Sequence, residues 1–155
     1  SGLGKSGLLW ACLAATFSSL GIPALSLHPV DALHGDSGVL QATDCLVLIS
    51  KSGTGTELAM LAQYAQRVGA AVVVLTCSAE PLAILADLVV RLPAVPEADP
   101  YNLVPTSSLL VLLSYGHAVA LACAARRGFS PTTFAQVHPY GEIGKQLKVK
   151  AGVLR

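Results

Sequence analysis

Apolar residues in this chain fall into short continuous runs separated by stretches of helical spacing. Cys45-Leu46-Val47-Leu48-Ile49 is wholly apolar, and residues 71–76 contain the β-branched series Val72-Val73-Val74. Runs this short, without polar alternation, predict strands covered on both faces, as in a parallel sheet. Between them the pattern predicts a helix over about 56–68, with Gly69 where a C-terminal glycine belongs. An apolar helix is predicted from Leu8 to near Gly21, a short strand over 23–27, a short helix over 81–86 and a strand over 87–92. A long helix is expected over 105–127, with Arg126 and Arg127 at its negative end and Gly128 closing it. Ser130-Pro131 reads as an N-cap and first helical position, and 138–145 as a final loop and turn. Strands alternating with helices imply an α/β fold, three-layer α/β/α with a parallel sheet. Right-handed crossovers then put the strand-end loops along one edge, where ligands bind.

The polar turns carry the candidate chemistry. Ser50-Lys51-Ser52-Gly53-Thr54-Gly55-Thr56-Glu57 joins the first apolar run to its helix. Such a loop collects hydroxyls, free backbone N–H groups and the positive end of a helix dipole, the groups that hold a phosphate or another anion. A second cluster, Thr106-Ser107-Ser108, follows Pro105 and opens the long apolar segment. Both clusters are expected to surround one phosphorylated small molecule, which requires the two turns to share a side of the fold. Gly2-Leu3-Gly4-Lys5-Ser6-Gly7 runs straight into a helix with almost nothing before it. A glycine loop of this type normally follows a strand, so the sequence reads as a fragment lacking its first strand. Gly4-Lys5-Ser6 also fits the end of a nucleotide-binding P-loop. That reading is the weaker: the leading glycine is absent, Asp44 precedes its strand and Asp87 opens one.

Length and composition narrow the classes. At 155 residues the chain is one domain's worth, 1–155, able to bury about 68–70% of its unfolded surface. A net charge of +1 gives no electrostatic case for nucleic acid or an acidic membrane face, and the few aromatic residues form no base-stacking platform. Cys12, Cys45, Cys77 and Cys123 stand alone in apolar runs and are expected to be buried reduced thiols. The uncharged stretch between Asp99 and Arg126 is long enough to span a bilayer. Its clustered Asn102, Pro105, Thr106, Ser107, Ser108, Ser114 and His117 argue instead for a helix buried in a subunit interface, hence a homo-oligomer (dimer or tetramer) and no membrane. The absence of a visible signal peptide points to the cytoplasm. His28, His34 and Asp36 are metal-ligand types, but no third His or Cys lies nearby and no metal site is expected. His117 is expected to be a satisfied core or interface residue.

Five motifs occur in one order: Gly2-Leu3-Gly4-Lys5-Ser6-Gly7, His28-Pro29 with His34-Gly35-Asp36, Ser50-Lys51-Ser52-Gly53, Pro105-Thr106-Ser107-Ser108 and His138-Pro139-Tyr140-Gly141. The series resembles the sugar isomerase (SIS) domain of arabinose 5-phosphate isomerases over nearly the whole chain. The resemblance implies a flavodoxin-like parallel sheet, usually in an oligomer, that binds phosphosugars. It also implies interconversion of ribulose 5-phosphate and arabinose 5-phosphate without a cofactor. Carried over by motif, Ser50, Ser52, Thr106, Ser107 and Ser108 would bind phosphate or sugar oxygens, while Lys5, His34, Glu97 and His138 would line the reacting end. The family often carries C-terminal CBS modules, and this chain stops before any. Bacterial members commonly have Glu where this chain has Thr54, and Ser or Thr where it has Gly55. Thr54 and Thr56 are therefore counted with the phosphate-binding hydroxyls, Thr56 supplying the missing one from a shifted register, or else backbone N–H groups left accessible by Gly55 hold the phosphate.

An aldose–ketose isomerisation needs the ring opened, a proton moved between C1 and C2, and the enediolate stabilised by a cation or donor. Each acid or base contributes about 10²–10⁴-fold. Composition alone makes Glu97 an acid in an exposed proline loop; the resemblance makes it the expected base. His138 precedes Pro139, which favours an extended turn, and a histidine's ordinary pKa near neutrality suits ring-opening work. The other reading is a non-catalytic phosphosugar sensor. Thr54 in place of Glu favours the sensor, and Glu97 with His138 favours the enzyme.

Overall fold

The computed structural model describes residues 1–78 and 81–150. Three strands, β1 (Cys45–Ile49), β2 (Ala71–Thr76) and β3 (Leu88–Arg91), form a parallel sheet in the order β1-β2-β3. Cys45 pairs with Ala71 and Ile49 with Leu75, while Val73 pairs with Leu88 and Thr76 with Arg91. Gly2 makes a parallel bridge to Ile49, whose N–H donates to the Ser1 carbonyl at 2.9 Å, so the segment before the glycine loop sits in a strand position beside β1. Residues 23–27, predicted as a strand, join no ladder. Pro23 offers no N–H. The neighbour such a strand would take in a doubly wound sheet contributes only the single Gly2 bridge.

The chain divides into two compact units: Ser1–Ala11 with Ser26–Leu113, and Cys12–Leu25 with the chain from Ser114 on. The first is built around α3 (Thr56–Val68). Leu46 and Leu48 of β1 and Val72 and Val74 of β2 alternate onto one face, where Leu58, Leu61, Ala62 and Ala65 of α3 cover them. Leu27, Leu82 and Ala32 of α2 (Pro29–Leu33) complete this core. Val47 and Val73, on the opposite face, are half-buried, while Ile49 and Leu75, farther along that face, are buried. Gly69 ends α3 at φ 84°, the left-handed conformation that a side chain would resist. Leu61 is fully buried, and Leu61→Ala is expected to cost about 2–5 kcal/mol. Urea melts should show a lowered midpoint with an unchanged slope.

Two helices, α1 (Lys5–Ser19) and α4 (Ser107–Arg126), supply residues to both units. In the second unit a Cβ on Gly116 would lie 2.5 Å from Leu13 Cδ1, so the glycine lets that leucine seat against α4. There too His117 Nε2 lies 3.2 Å from the Thr16 hydroxyl. Ser130 caps α5 (Pro131–Val137), its hydroxyl accepting from the Thr133 N–H at 3.2 Å. Instead of a terminal loop throughout, the chain forms α6 (Glu142–Lys150). Glu142 lies in its first turn and Lys148 and Lys150 in its last, which complements the helix dipole. Among the described residues α4 is the one helix long and apolar enough to cross a membrane by length and composition. Leu112, Ala120 and Ala124 of α4 are buried, and Leu110 and Leu121 are exposed. The cysteines depart from expectation: Cys12 and Cys45 are exposed, Cys77 and Cys123 partly buried, and all are free. Cys45 opens β1 on the less covered side of the sheet, beyond the reach of the α3 core.

Candidate active site

The first hydroxyl turn grows directly out of the sheet. Past Ile49 the ladder continues, with the Ser50 N–H donating to the Leu75 carbonyl (3.1 Å) and the Cys77 N–H to the Lys51 carbonyl (3.2 Å). The Thr76 hydroxyl donates to the same Lys51 carbonyl at 3.4 Å. The chain then reverses through Gly53 (φ 70°) and Gly55 (φ 144°), both conformations that favour glycine, and enters α3. Inside the turn the Ser50 hydroxyl donates to the Thr54 carbonyl (3.0 Å), and the Ser52 and Thr54 hydroxyls pair at 2.8 Å. The N-terminal glycine loop meets this edge closely: a Cβ on Gly7 would lie 2.7 Å from the Gly2 carbonyl oxygen, and one on Gly2 3.1 Å from that of Ile49. A cleft of about 440 Å³ results, lined by Ser6, Ser50, Lys51, Ser52 and Cys77 with apolar Leu3, Ile49 and Leu58. That volume lies within the usual range for small-molecule sites.

The second turn is organised by one carboxylate. Glu97 has a fully buried side chain, with Oε1 accepting from Lys51 Nζ at 2.5 Å. The Ser108 hydroxyl also donates to Oε1. Oε2 accepts from the N–H and hydroxyl of Thr106 (2.7 and 3.2 Å) and the N–H of Ser108 (3.2 Å), at the start of α4. The Lys51 ammonium, the Ser108 hydroxyl and the Thr106 N–H hold the Glu97 carboxyl ionised, far below the usual carboxylate range. The loop around it is fixed by side chain to backbone bonds. Asp99 accepts from the N–H groups of Tyr101 (3.0 Å), Leu103 (2.9 Å) and Val104 (2.8 Å), which lowers its own pKa. Asn102, at φ 56°, accepts from the Glu97 N–H at 2.6 Å. Lys51 and Glu97 thus tie the two hydroxyl turns together on one side of the sheet.

The residues expected from sequence separate into groups. Ser50 and Ser52 line the cleft, and the Thr54 hydroxyl rests on Ser52. Thr56 is exposed at the first position of α3. Thr106 and Ser108 spend their N–H groups and hydroxyls on Glu97, and Ser107 is half-buried at the start of α4. Lys5 is exposed at the start of α1, beside the cleft residue Ser6. His34 is exposed at the end of α2, and is not among the cleft-lining residues. His138 belongs to the second unit, its ring stacked on Phe134 at 3.9 Å and its Nδ1 3.0 Å from the Phe134 carbonyl. His28 lies 3.5 Å from Asp31. Sequence reasoning gave Lys51 no role. The signal was present as the one charge within the hydroxyl–glycine part of the turn, immediately after a buried strand.

The SIS domain model matches residues 1–122. The chain belongs to the SIS domain family. It is 39% identical over 150 residues to an arabinose 5-phosphate isomerase of Pseudomonas aeruginosa, covering 96% of this chain and 46% of the relative. An arabinose 5-phosphate isomerase of Escherichia coli is 38% identical over 148 residues, covering 95% of this chain and 47% of the relative. This SIS chain therefore spans about half the length of the curated relatives it matches. A solved structure of an E. coli CFT073 protein in complex with arabinose 5-phosphate superposes with a TM-score of 0.85 at 39% identity, covering 89% of this chain and 74% of that one.

Proposed function

We propose that this SIS domain is the phosphosugar site of an aldose–ketose isomerase, interconverting D-ribulose 5-phosphate and D-arabinose 5-phosphate through an enediol. The observation that carries the reading is the Lys51–Glu97–Ser108 chain of contacts, which joins the two hydroxyl turns beside a cleft of sugar-phosphate size. The relatives' names and the sugar-phosphate-bound neighbour support the substrate class.

In this reading the turn bearing Ser50, Ser52 and Thr54, with Thr56 and the N-terminus of α3, receives the phosphate. Lys5, at the glycine loop, supplies positive charge to the enediolate. His138 and His34 carry the ring-opening and proton-transfer work, and no cofactor is required. Glu97 enters as a positioning residue rather than as the base expected from sequence, because both its oxygens are saturated by donors that favour its ionised form. Association of copies through the exposed apolar side of α4, at Leu110 and Leu121, belongs to the same proposal.

The test is incubation with D-ribulose 5-phosphate, followed by product analysis. Formation of D-arabinose 5-phosphate is expected. Heat protection by the sugar phosphate without product would instead identify a non-catalytic sensor. The absence of both effects would refute the phosphosugar reading.

A further inference from the structure

Resting on that reading, we propose that Lys51 is the residue that recognises the substrate's phosphate, and that Glu97 is the residue that aims it. Among the described residues that line the cleft, Lys51 is the only charged one. Its backbone is pinned to the end of β2 through the Cys77 N–H and Thr76 hydroxyl, so the side chain leaves from a fixed point. Its ammonium meets Glu97 at 2.5 Å, yet the lysine side chain is 43% exposed while the glutamate is 0% exposed. An ammonium has three donors. Glu97 takes one from the buried side, leaving the others for an anion arriving from the open side.

Nor is the lysine's charge cancelled by its partner. Glu97 also sits on the N–H groups of Thr106 and Ser108 at the start of α4, where the helix end carries about half a positive charge. The glutamate is thereby shared between a helix terminus and Lys51 rather than spent on the lysine alone. Two hydroxyls of the second cluster, those of Thr106 and Ser108, are committed to Glu97. Charge recognition of the phosphate therefore falls to Lys51, beside the Ser52 and Thr54 hydroxyls of its own turn. Cys77, the other titratable group among the described residues that line the cleft, lies within the electrostatic reach of both Lys51 and Glu97, and burial raises its pKa, which keeps it neutral.

The test compares the wild-type chain with Lys51→Gln, which keeps a donor for Glu97 but loses the charge, and with Lys51→Arg. KM and kcat for ribulose 5-phosphate and the inhibition constant of inorganic phosphate are measured, with ligand-free melting as a check on folding. Lys51→Gln should raise KM and the phosphate inhibition constant together, about 10- to 100-fold, with kcat changing far less. Lys51→Arg should recover most of both. A fall in kcat or melting temperature with phosphate inhibition unchanged would make Lys51 a tether only and overturn the proposal, leaving the isomerase reading intact. A wild-type chain that neither converts nor binds the sugar phosphate would remove both.

Discussion

Glu97→Gln is expected to lower kcat/KM by about 10²-fold or more, the scale of loss that follows when reacting groups are misplaced by about an ångström. The substitution is nearly isosteric, so its effect is chemical. It puts an NH₂ in place of one carboxylate oxygen, against either the Lys51 ammonium and Ser108 hydroxyl or the N–H groups of Thr106 and Ser108. Donor then faces donor, and the start of α4 loses its anion. Were Glu97 the base alone, kcat would fall and sugar-phosphate affinity would hold. Since it aims Lys51, KM should rise as well, and steady-state kinetics separates the two.

The same variant carries a pH signature. The ordinary carboxyl value for Glu97 is 4.5, and its folded value lies far below. A depressed folded pKa gives stability that is full above the ordinary value and is lost as pH falls from there toward the folded value. The wild-type chain should therefore lose melting temperature more steeply than Glu97→Gln as pH is lowered below about 4.5. Asp99, whose pKa is lowered by backbone N–H groups, contributes with the same sign in both proteins. The difference between the two melting curves isolates Glu97.

His138→Gln should reduce kcat by about 10²–10⁴-fold, the range for a lost general acid or base, while heat protection by the sugar phosphate persists. The Phe134 carbonyl lies 3.0 Å from Nδ1, so in the neutral ring that nitrogen carries the hydrogen and Nε2 is left to exchange protons. Stacking on Phe134 and the close seat of Gly144 against the His138 carbonyl fix the ring's position. Activity within a few fold of wild type would remove His138 from the mechanism.

Periodicity was a good guide wherever one helix covers one sheet face. β1, α3, β2 and the Gly69 terminus all follow from local pattern, because Leu46, Leu48, Leu58 and Leu61 meet within a short stretch of chain. The hydroxyl turn was equally legible, since Ser50, Gly53 and Gly55 obey local backbone rules. Residues 23–27 were not, because a strand needs a partner that sequence cannot guarantee. α6 was hidden because its glycine, Gly144, looks like a turn residue, whereas it provides close packing against His138. The Lys51–Glu97 pair spans 46 positions. No local rule shows that a turn lysine and a loop glutamate converge, or that the Thr106 and Ser108 hydroxyls are spent on a carboxylate.

The most direct measurement is conversion of D-ribulose 5-phosphate in deuterated water, followed by NMR. The enediol route through this site predicts D-arabinose 5-phosphate carrying solvent deuterium at C2. A folded chain that gives neither product nor exchange at the sugar carbons would contradict it.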